Sequence, residues 1–209
     1  MNRQISYTIG VVNALTGEYI HSTESHYSRW AQGLYTDKTK AMFRQSPLDY
    51  LEGLEKVLTD VVSHCPAPEA VRCISVDTTG STPCLVDRHC KPLSLSEKYK
   101  ENPDAMFVLW KVHTAEHEAA EINNADRLSG KGYSRHSGGH YSAECFWAKV
   151  LRVLRHSPEL QNEASTAIEL CDWIPAVLTG VDDITKMRVG LCAAGAKRMW
   201  AEEWGGYPP

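Results

Sequence analysis

Four short stretches carry residue types and spacings that could do chemistry. The first is Val76-Asp-Thr-Thr-Gly-Ser-Thr82, a carboxylate at the end of an apolar run followed by hydroxyls and one glycine. A strand-end carboxylate can bind a ligand's hydroxyls or a metal ion, and a residue without a side chain lets backbone amides approach closely. On composition alone the favoured reading is an Asx-type turn capped by Asp77. The second is His113-Thr-Ala-Glu-His117, which fits H-x-x-E-H, the inverted zinc-protease arrangement. So short a pattern arises by chance, and a catalytic zinc needs a third ligand and a supporting shell, so a solvated helix face is the favoured reading. The third, Ser137-Gly-Gly-His-Tyr-Ser142, places paired glycines before a helical pattern. Free amides there could meet an anion, although a helix entry with Ser142 as N-cap is favoured. The fourth is Cys192-Ala-Ala-Gly-Ala-Lys197, small residues leading to a cation at a helix start. That ammonium could meet a phosphate or sugar oxygen as a point charge, but exposed lysines are usually only solvated.

The elements that must position these residues belong to an ordinary globular chain. Its 209 residues are 43% hydrophobic, enough for one substantial core. Net charge is −4, the sequence pI is about 6.1, and Lys and Arg are scattered, so the attraction that nucleic acid needs is missing. The apolar run near the N-terminus is too short for a membrane span and lacks a signal-peptide cleavage pattern, which predicts a cytoplasmic protein. Seven cysteines, at 65, 73, 84, 90, 145, 171 and 192, form no C-x-x-C pair and suggest neither a disulfide framework nor a zinc knuckle.

Residues 4–12 and 18–23 read as a hairpin turning at Thr16-Gly17. Residues 26–45 are polar and aromatic without clean periodicity, as expected either of a functional loop or of plain packing. Ser46 as N-cap, Pro47 at the first helical position and Leu51, Leu54, Leu58 and Val61 at helical spacing predict a helix over 47–62. The continuous apolar run at 71–76 predicts a strand covered on both faces, delivering Asp77 to its loop. Residues 84–93 read as strand, turn and return, and 94–105 as a charged loop. Helical patterns follow at 113–123, 143–156, from Ser157-Pro158, and at 172–180 ahead of Gly180. Strands, then an intervening helix, then helices without a repeat period predict an α/β or α+β domain with a mixed sheet, and no domain boundary is evident.

Several segments together closely resemble one family, the FGGY carbohydrate kinases, and within it the L-ribulokinase branch. They are GLYTDKTKAMFRQSPLDYLEGLE, VDTTGSTPCLVD, ENPDAMFVLWKVHTAEHEAAEIN, YSRHSGGHYSAECFWAKVLRVLR, IELCDWIPAVLTG and CAAGAKRMWAEEWGGYPP, which span essentially the whole chain. The resemblance implies a ribonuclease-H-like lobe of the actin and hexokinase superfamily, with a mixed central sheet. Residues 1–209 would be the N-terminal sugar-binding lobe, and a second lobe would bind ATP. Carried over by position, it implies Gly80 in the loop lining a sugar pocket, Trp110 packed against the sugar and Lys197 hydrogen-bonded to its hydroxyls, with Asp77 and Trp147 in support. The chemistry agrees: glycine permits close backbone approach, an aromatic face covers sugar C–H groups, and an ammonium donates to hydroxyls.

Two departures qualify the resemblance. Family members open with a strand running into an Asp-Phe-Gly-Thr-like turn that meets ATP phosphates and magnesium, whereas here Gly10 runs straight into Val11, leaving the lobe incomplete at its first hairpin. The sequence stops at Pro209, ahead of the aspartate base the family supplies and of the ATP lobe. Val112 also stands where an aspartate is common. The expectation is therefore an intact enzyme that moves the ATP γ-phosphoryl group to the 5-hydroxyl of L-ribulose with Mg²⁺, as in arabinose catabolism, and a 209-residue chain that is inactive alone and binds neither ATP nor Mg²⁺ tightly. A lobe acting on another pentulose or a polyol, or a non-catalytic sugar-binding or structural module, is the alternative. A homodimer stays open, and no nucleic acid or membrane partner is expected.

Overall fold

A computed structural model describes residues 6–208, which fall into two compact units. One takes the residues up to Thr36 together with Gln45–Ser75, and the other takes Asp37–Arg44 together with the residues from Val76 onward.

In the first unit, β1 (Ser6–Val12) and β2 (Tyr19–His26) form the expected antiparallel hairpin, in register from Ser6 opposite His26 to Val11 opposite His21. Asn13 shapes the turn, its side-chain oxygen accepting the amides of Leu15 and Thr16 at 2.9 and 3.2 Å. Gly17 follows in the left-handed region at φ 74°. A short helix α1 (Ser28–Ala31) comes next, its first amides ending on the Asp49 carboxylate: Arg29 N and Trp30 N donate at 3.0 and 3.1 Å. This stretch was open in sequence because its helix is capped by a residue twenty positions away.

Asp49 sits in the first turn of the long helix α2 (Pro47–His64), after the predicted cap: Ser46 Oγ accepts from Leu48 N at 3.3 Å. The buried side of α2 presents Tyr50, Gly53, Leu54, Val57 and Val61. Tyr50 meets Tyr7 and Tyr27 in edge-on pairs 5.2 to 6.1 Å between centroids, the geometry aromatic quadrupoles favour.

The second unit carries β3 (Thr36–Asp37) and β4 (Met42–Gln45) except for their boundary residues Thr36 and Gln45, and β5 (Pro83–Val86), β6 (Phe107–Val108) and β7 (Thr166–Glu169), with β3, β4 and β6 side by side and β5 antiparallel to β7. Its helices are α3 (Glu116–Ser129), α4 (Phe146–His156), α5 (Leu170–Leu178) and α6 (Leu191–Lys197). Phe107, Leu109, Tyr141, Phe146, Ala148 and Ile174 are all 1% exposed or less and mark its core. The class is α/β, as expected, with its strands divided among small sheets.

Some elements differ from the sequence reading. Residues 71–76 form no strand; Val71 and Ile74 are 48% and 64% exposed. An apolar run becomes a strand only if neighbours take up its backbone groups, and among the described residues no strand pairs with it. Ser142 caps the turn ahead of α4, accepting from Glu144 N at 3.1 Å, while Cys145 takes the N-cap position of the helix itself. Ser157-Pro158 opens a single 3₁₀ turn in place of a helix. Past Val86 the return of the 84–93 segment is one bridge to Pro92. Gly180 does end the 172–180 segment, at φ 67°.

Candidate functional site

The loop of interest closes through its threonines, not through Asp77. Thr82 Oγ1 lies 2.9 Å from Thr79 Oγ1 and donates to Thr79 O at 3.1 Å, and Thr82 N donates to Glu169 Oε2 at 2.8 Å. Asp77 is exposed and outside this network, which corrects the Asx-turn reading. Gly80 is exposed too, with nothing within 4 Å of where a Cβ would stand. Its openness leaves the backbone there approachable. The strained residue is Ser81, buried to 2% with φ 56°.

What holds Ser81 is Lys149, on α4. Its ammonium donates to Ser81 O at 2.7 Å, Leu109 O at 2.9 Å and Trp110 O at 3.0 Å, so one cation joins the 80–82 loop to the turn that bears Trp110. Three acceptors match the three N–H groups of an ammonium. Burial nevertheless pulls the lysine down to about 7, opposed by the charge of Glu169. Burial pushes the Glu169 carboxyl up to about 7, opposed by the Thr82 amide and by Lys149. Asp172, one turn on, is raised by burial as well.

A second set of contacts gathers Trp147 and the 197–198 backbone. Tyr141 is the hub: its hydroxyl accepts from Trp147 N at 2.9 Å and donates to Lys197 O at 2.5 Å. Trp147 Nε1 donates to Arg198 O at 2.8 Å, and the Arg198 guanidinium lies over the rings of Phe146, Trp147 and Tyr207 at 4.5 to 5.5 Å. Arg198 Nη1 is 3.9 Å from Asp172 Oδ2, and these two residues line a cavity of about 130 Å³ with Ile168 and Met187. Lys197 is half-buried, and its ammonium makes no hydrogen bond or ion pair among the described residues.

Besides Thr78 Oγ1, five buried polar atoms of this region have no hydrogen-bond partner among the described residues: Ser81 Oγ, Trp110 Nε1, Glu169 Oε1, Asp172 Oδ2 and Arg198 Nε. Native interiors rarely leave such atoms orphaned, and two donors, two acceptors and a hydroxyl suit a polyhydroxylated ligand. The structure thus joins Gly80's loop to Trp110 through Lys149, and Trp147 to the 197–198 backbone through Tyr141; it leaves Asp77 outside both. Val112 is buried to 2%, where a charge would need a partner.

Sequence reasoning missed Lys149, Glu169, Tyr141 and Arg198. One signal existed for the lysine: it falls three residues after Phe146 and four before Val153, on the apolar stripe of α4, where a charge is costly unless it is used. The H-x-x-E-H histidines do not take the inverted zinc-protease arrangement of two ligands one turn apart on a helix. Helix α3 begins at Glu116, after His113, so the two histidines share no helical face. His113 pairs with Glu144 at 3.1 Å and His117 with Glu121 at 3.2 Å. At Gly10-Val11 the β1 ladder continues, opposite Ser22 and His21, and shifts register only between Val11 and Val12, and a Cβ on Gly10 would stand 2.8 Å from the Tyr19 ring. These residues do not fit a cradle for ATP phosphates and magnesium.

No protein-family model matches the chain. The ribulokinase of Vibrio parahaemolyticus is 44% identical to it over 202 residues, 95% of this chain and 35% of that protein. Over nearly its whole length this chain is similar to about a third of a ribulokinase. The ribulokinase of Halalkalibacterium halodurans is 34% identical over 166 residues, 78% of this chain and 28% of that protein, and the one from Bacillus licheniformis is 29% identical over 204 residues, 95% and 36%. The chain spans about a third of the length of these relatives. In fold it matches a crystal structure of a "xyloylose kinase" from Brucella ovis with a TM-score of 0.63 at 11% identity, over 83% of this chain and 31% of that one. That likeness is one of fold. No helix among the described residues is long and apolar enough to cross a membrane.

Proposed function

We propose that these residues form the sugar-binding lobe of an ATP-dependent ribulokinase that transfers the γ-phosphoryl group to the 5-hydroxyl of L-ribulose. The observation that carries the reading is the Lys149 clasp, which ties the Ser81 carbonyl to Leu109 and Trp110 beside orphaned buried donors and acceptors. Such a clasp fixes a loop and an aromatic face relative to each other before a ligand arrives, the pre-organisation a sugar site needs. In this reading Gly80 offers open backbone, the Trp110 face covers sugar C–H groups, and the free Lys197 ammonium donates to hydroxyls, with Asp77 and Trp147 in support.

Phosphoryl transfer is positioning and electrostatics around Mg²⁺ and ATP, with a carboxylate taking the hydroxyl proton. None of that machinery is assigned to residues of this chain, so the 209 residues assayed alone should release no ADP above background with L-ribulose. Cytoplasmic work is part of the proposal, supported by seven cysteines that are all free.

Calorimetric titration tests the sugar site directly. L-ribulose should bind with heat that Lys197→Ala abolishes, while D-xylulose and ribitol give less. Heat unchanged in Lys197→Ala, or stronger for either competitor, would overturn the assignment.

A further inference from the structure

A group in the first unit, remote in chemistry from any sugar site, is placed to hold a metal ion. His21 comes from β2, Asp60 and His64 from the last turns of α2, and one ligand atom from each lies within 4.8 Å of the others. His21 Nε2 is 3.0 Å from Asp60 Oδ2, and His64 Nδ1 is 3.5 Å from Asp60 Oδ1. A tetrahedral ion with bonds of 2.0–2.1 Å sets its ligand atoms about 3.3 Å apart, so each imidazole nitrogen already stands near that distance from one Asp60 oxygen, Oδ2 for His21 and Oδ1 for His64. The two imidazoles stack 4.5 Å apart at 19°, so one exposed ring must turn out of the stack for both nitrogens to face one ion.

The surroundings suit a cation as well. His64 closes α2, and the carbonyl end of a helix carries partial negative charge. Thr23 stands beside the Asp60 carboxylate and, after His21, helps hold it below the usual carboxylate range. His64 Nδ1 lies 2.9 Å from Asp60 O, to which it donates in the metal-free state. Ligation needs the other tautomer, and that carbonyl does not lose its last partner, because Ser63 Oγ donates to it at 2.8 Å. All three side chains reach solvent, at 28%, 39% and 56% exposure, so an ion can enter and water can fill the fourth position.

We propose that His21, Asp60 and His64 bind one divalent transition-metal ion of the zinc type, pinning the hairpin to α2. Two imidazoles and a carboxylate suit Zn²⁺ and its neighbours and not Mg²⁺, so this ion is distinct from the magnesium of phosphoryl transfer.

The test uses the metal-free 209-residue protein and Co²⁺, followed by visible absorption, then displacement by Zn²⁺. One equivalent should bind with a tetrahedral d–d spectrum and no thiolate charge-transfer band, and Zn²⁺ at a hundredfold excess over Kd should raise Tm by roughly 5–10 °C. His21→Gln and His64→Gln should each weaken binding at least tenfold with unchanged metal-free circular dichroism, while a His113→Gln/His117→Gln double variant binds as the parent does. A thiolate band, which would place the ion on cysteines such as Cys65, overturns the proposal. So does binding unaltered in the His21→Gln/His64→Gln double variant, or no binding at millimolar metal.

Discussion

An ammonium at 1% exposure, surrounded by three carbonyl oxygens, is held there against a large desolvation penalty. Lys149→Met would keep the volume, relieve that penalty, leave three carbonyls without their donor and strip Glu169 of its countercharge. Removing one partner of a buried pair usually costs more than the relief returns, so the variant should lose roughly 3 kcal/mol in urea unfolding. Adding Glu169→Gln should recover part of the loss, because the second uncompensated group then goes too. A single variant as stable as the parent would mean that Lys149 clasps nothing.

Glu169 makes a separate prediction through pH. Its folded value, about 7, lies above the ordinary 4.5, and burial is the main cause. Between those values the folded chain keeps a proton that the unfolded chain has released, so the carboxyl's contribution to stability is lost as pH rises towards 7. Glu169→Gln keeps an acceptor for Thr82 N and cannot ionise. Its advantage over the parent should therefore grow between pH 4.5 and 7 in paired urea melts, and a constant difference would contradict the raised value. At this scale the sequence was partly legible: the segments that carry Gly80 and Trp110, read as separate, are joined by Lys149. Lys149 and Glu169 were hidden because their roles come from backbone atoms 39 to 87 positions away, which no spacing encodes.

Helices, by contrast, announce themselves locally. Helix α2 could be read from Ser46, Pro47 and its leucine spacing because caps and amphipathic period act within a few residues. Strands do not, since a strand exists only with its partner, and the 71–76 run has none among the described residues. Gly53 shows the two levels in conflict. Inside a solvated helix Gly→Ala gains up to about 1 kcal/mol from backbone entropy. Here a Cβ would stand 2.9 Å from Tyr7 Cδ2, in the middle of the Tyr7, Tyr27 and Tyr50 cluster, and a ring packed edge-on has little room to retreat. Overpacking costs of about 1–3 kcal/mol outweigh the entropic gain. Gly53→Ala should therefore lower Tm by a few degrees, and a rise would show that the hairpin yields to α2.

For the molecule as a whole, the sheets decide behaviour in solution. They are small and separate, and an α/β sheet normally protects its strand edges by pairing or by covering helices. Residues 71–76 are a six-residue run with one charge, Arg72, unpaired and with both Val71 and Ile74 in solvent. Rich in β-branched residues and weakly charged, such a run is a template for pairing with a second copy. Self-association through it should appear as a concentration-dependent rise in mass in sedimentation or light scattering. Val71→Lys/Ile74→Lys should abolish that rise, since two like charges must then be brought together. The same pair should leave Tm nearly unchanged, because exposed substitutions typically move stability by no more than about 0.5 kcal/mol. Association that persists in the double variant would shift attention to another face, and a large drop in Tm would mean that the segment is packed in solution. The outcome separates the two readings of VRCISV: a strand waiting for a neighbour, or a linker that never needed one.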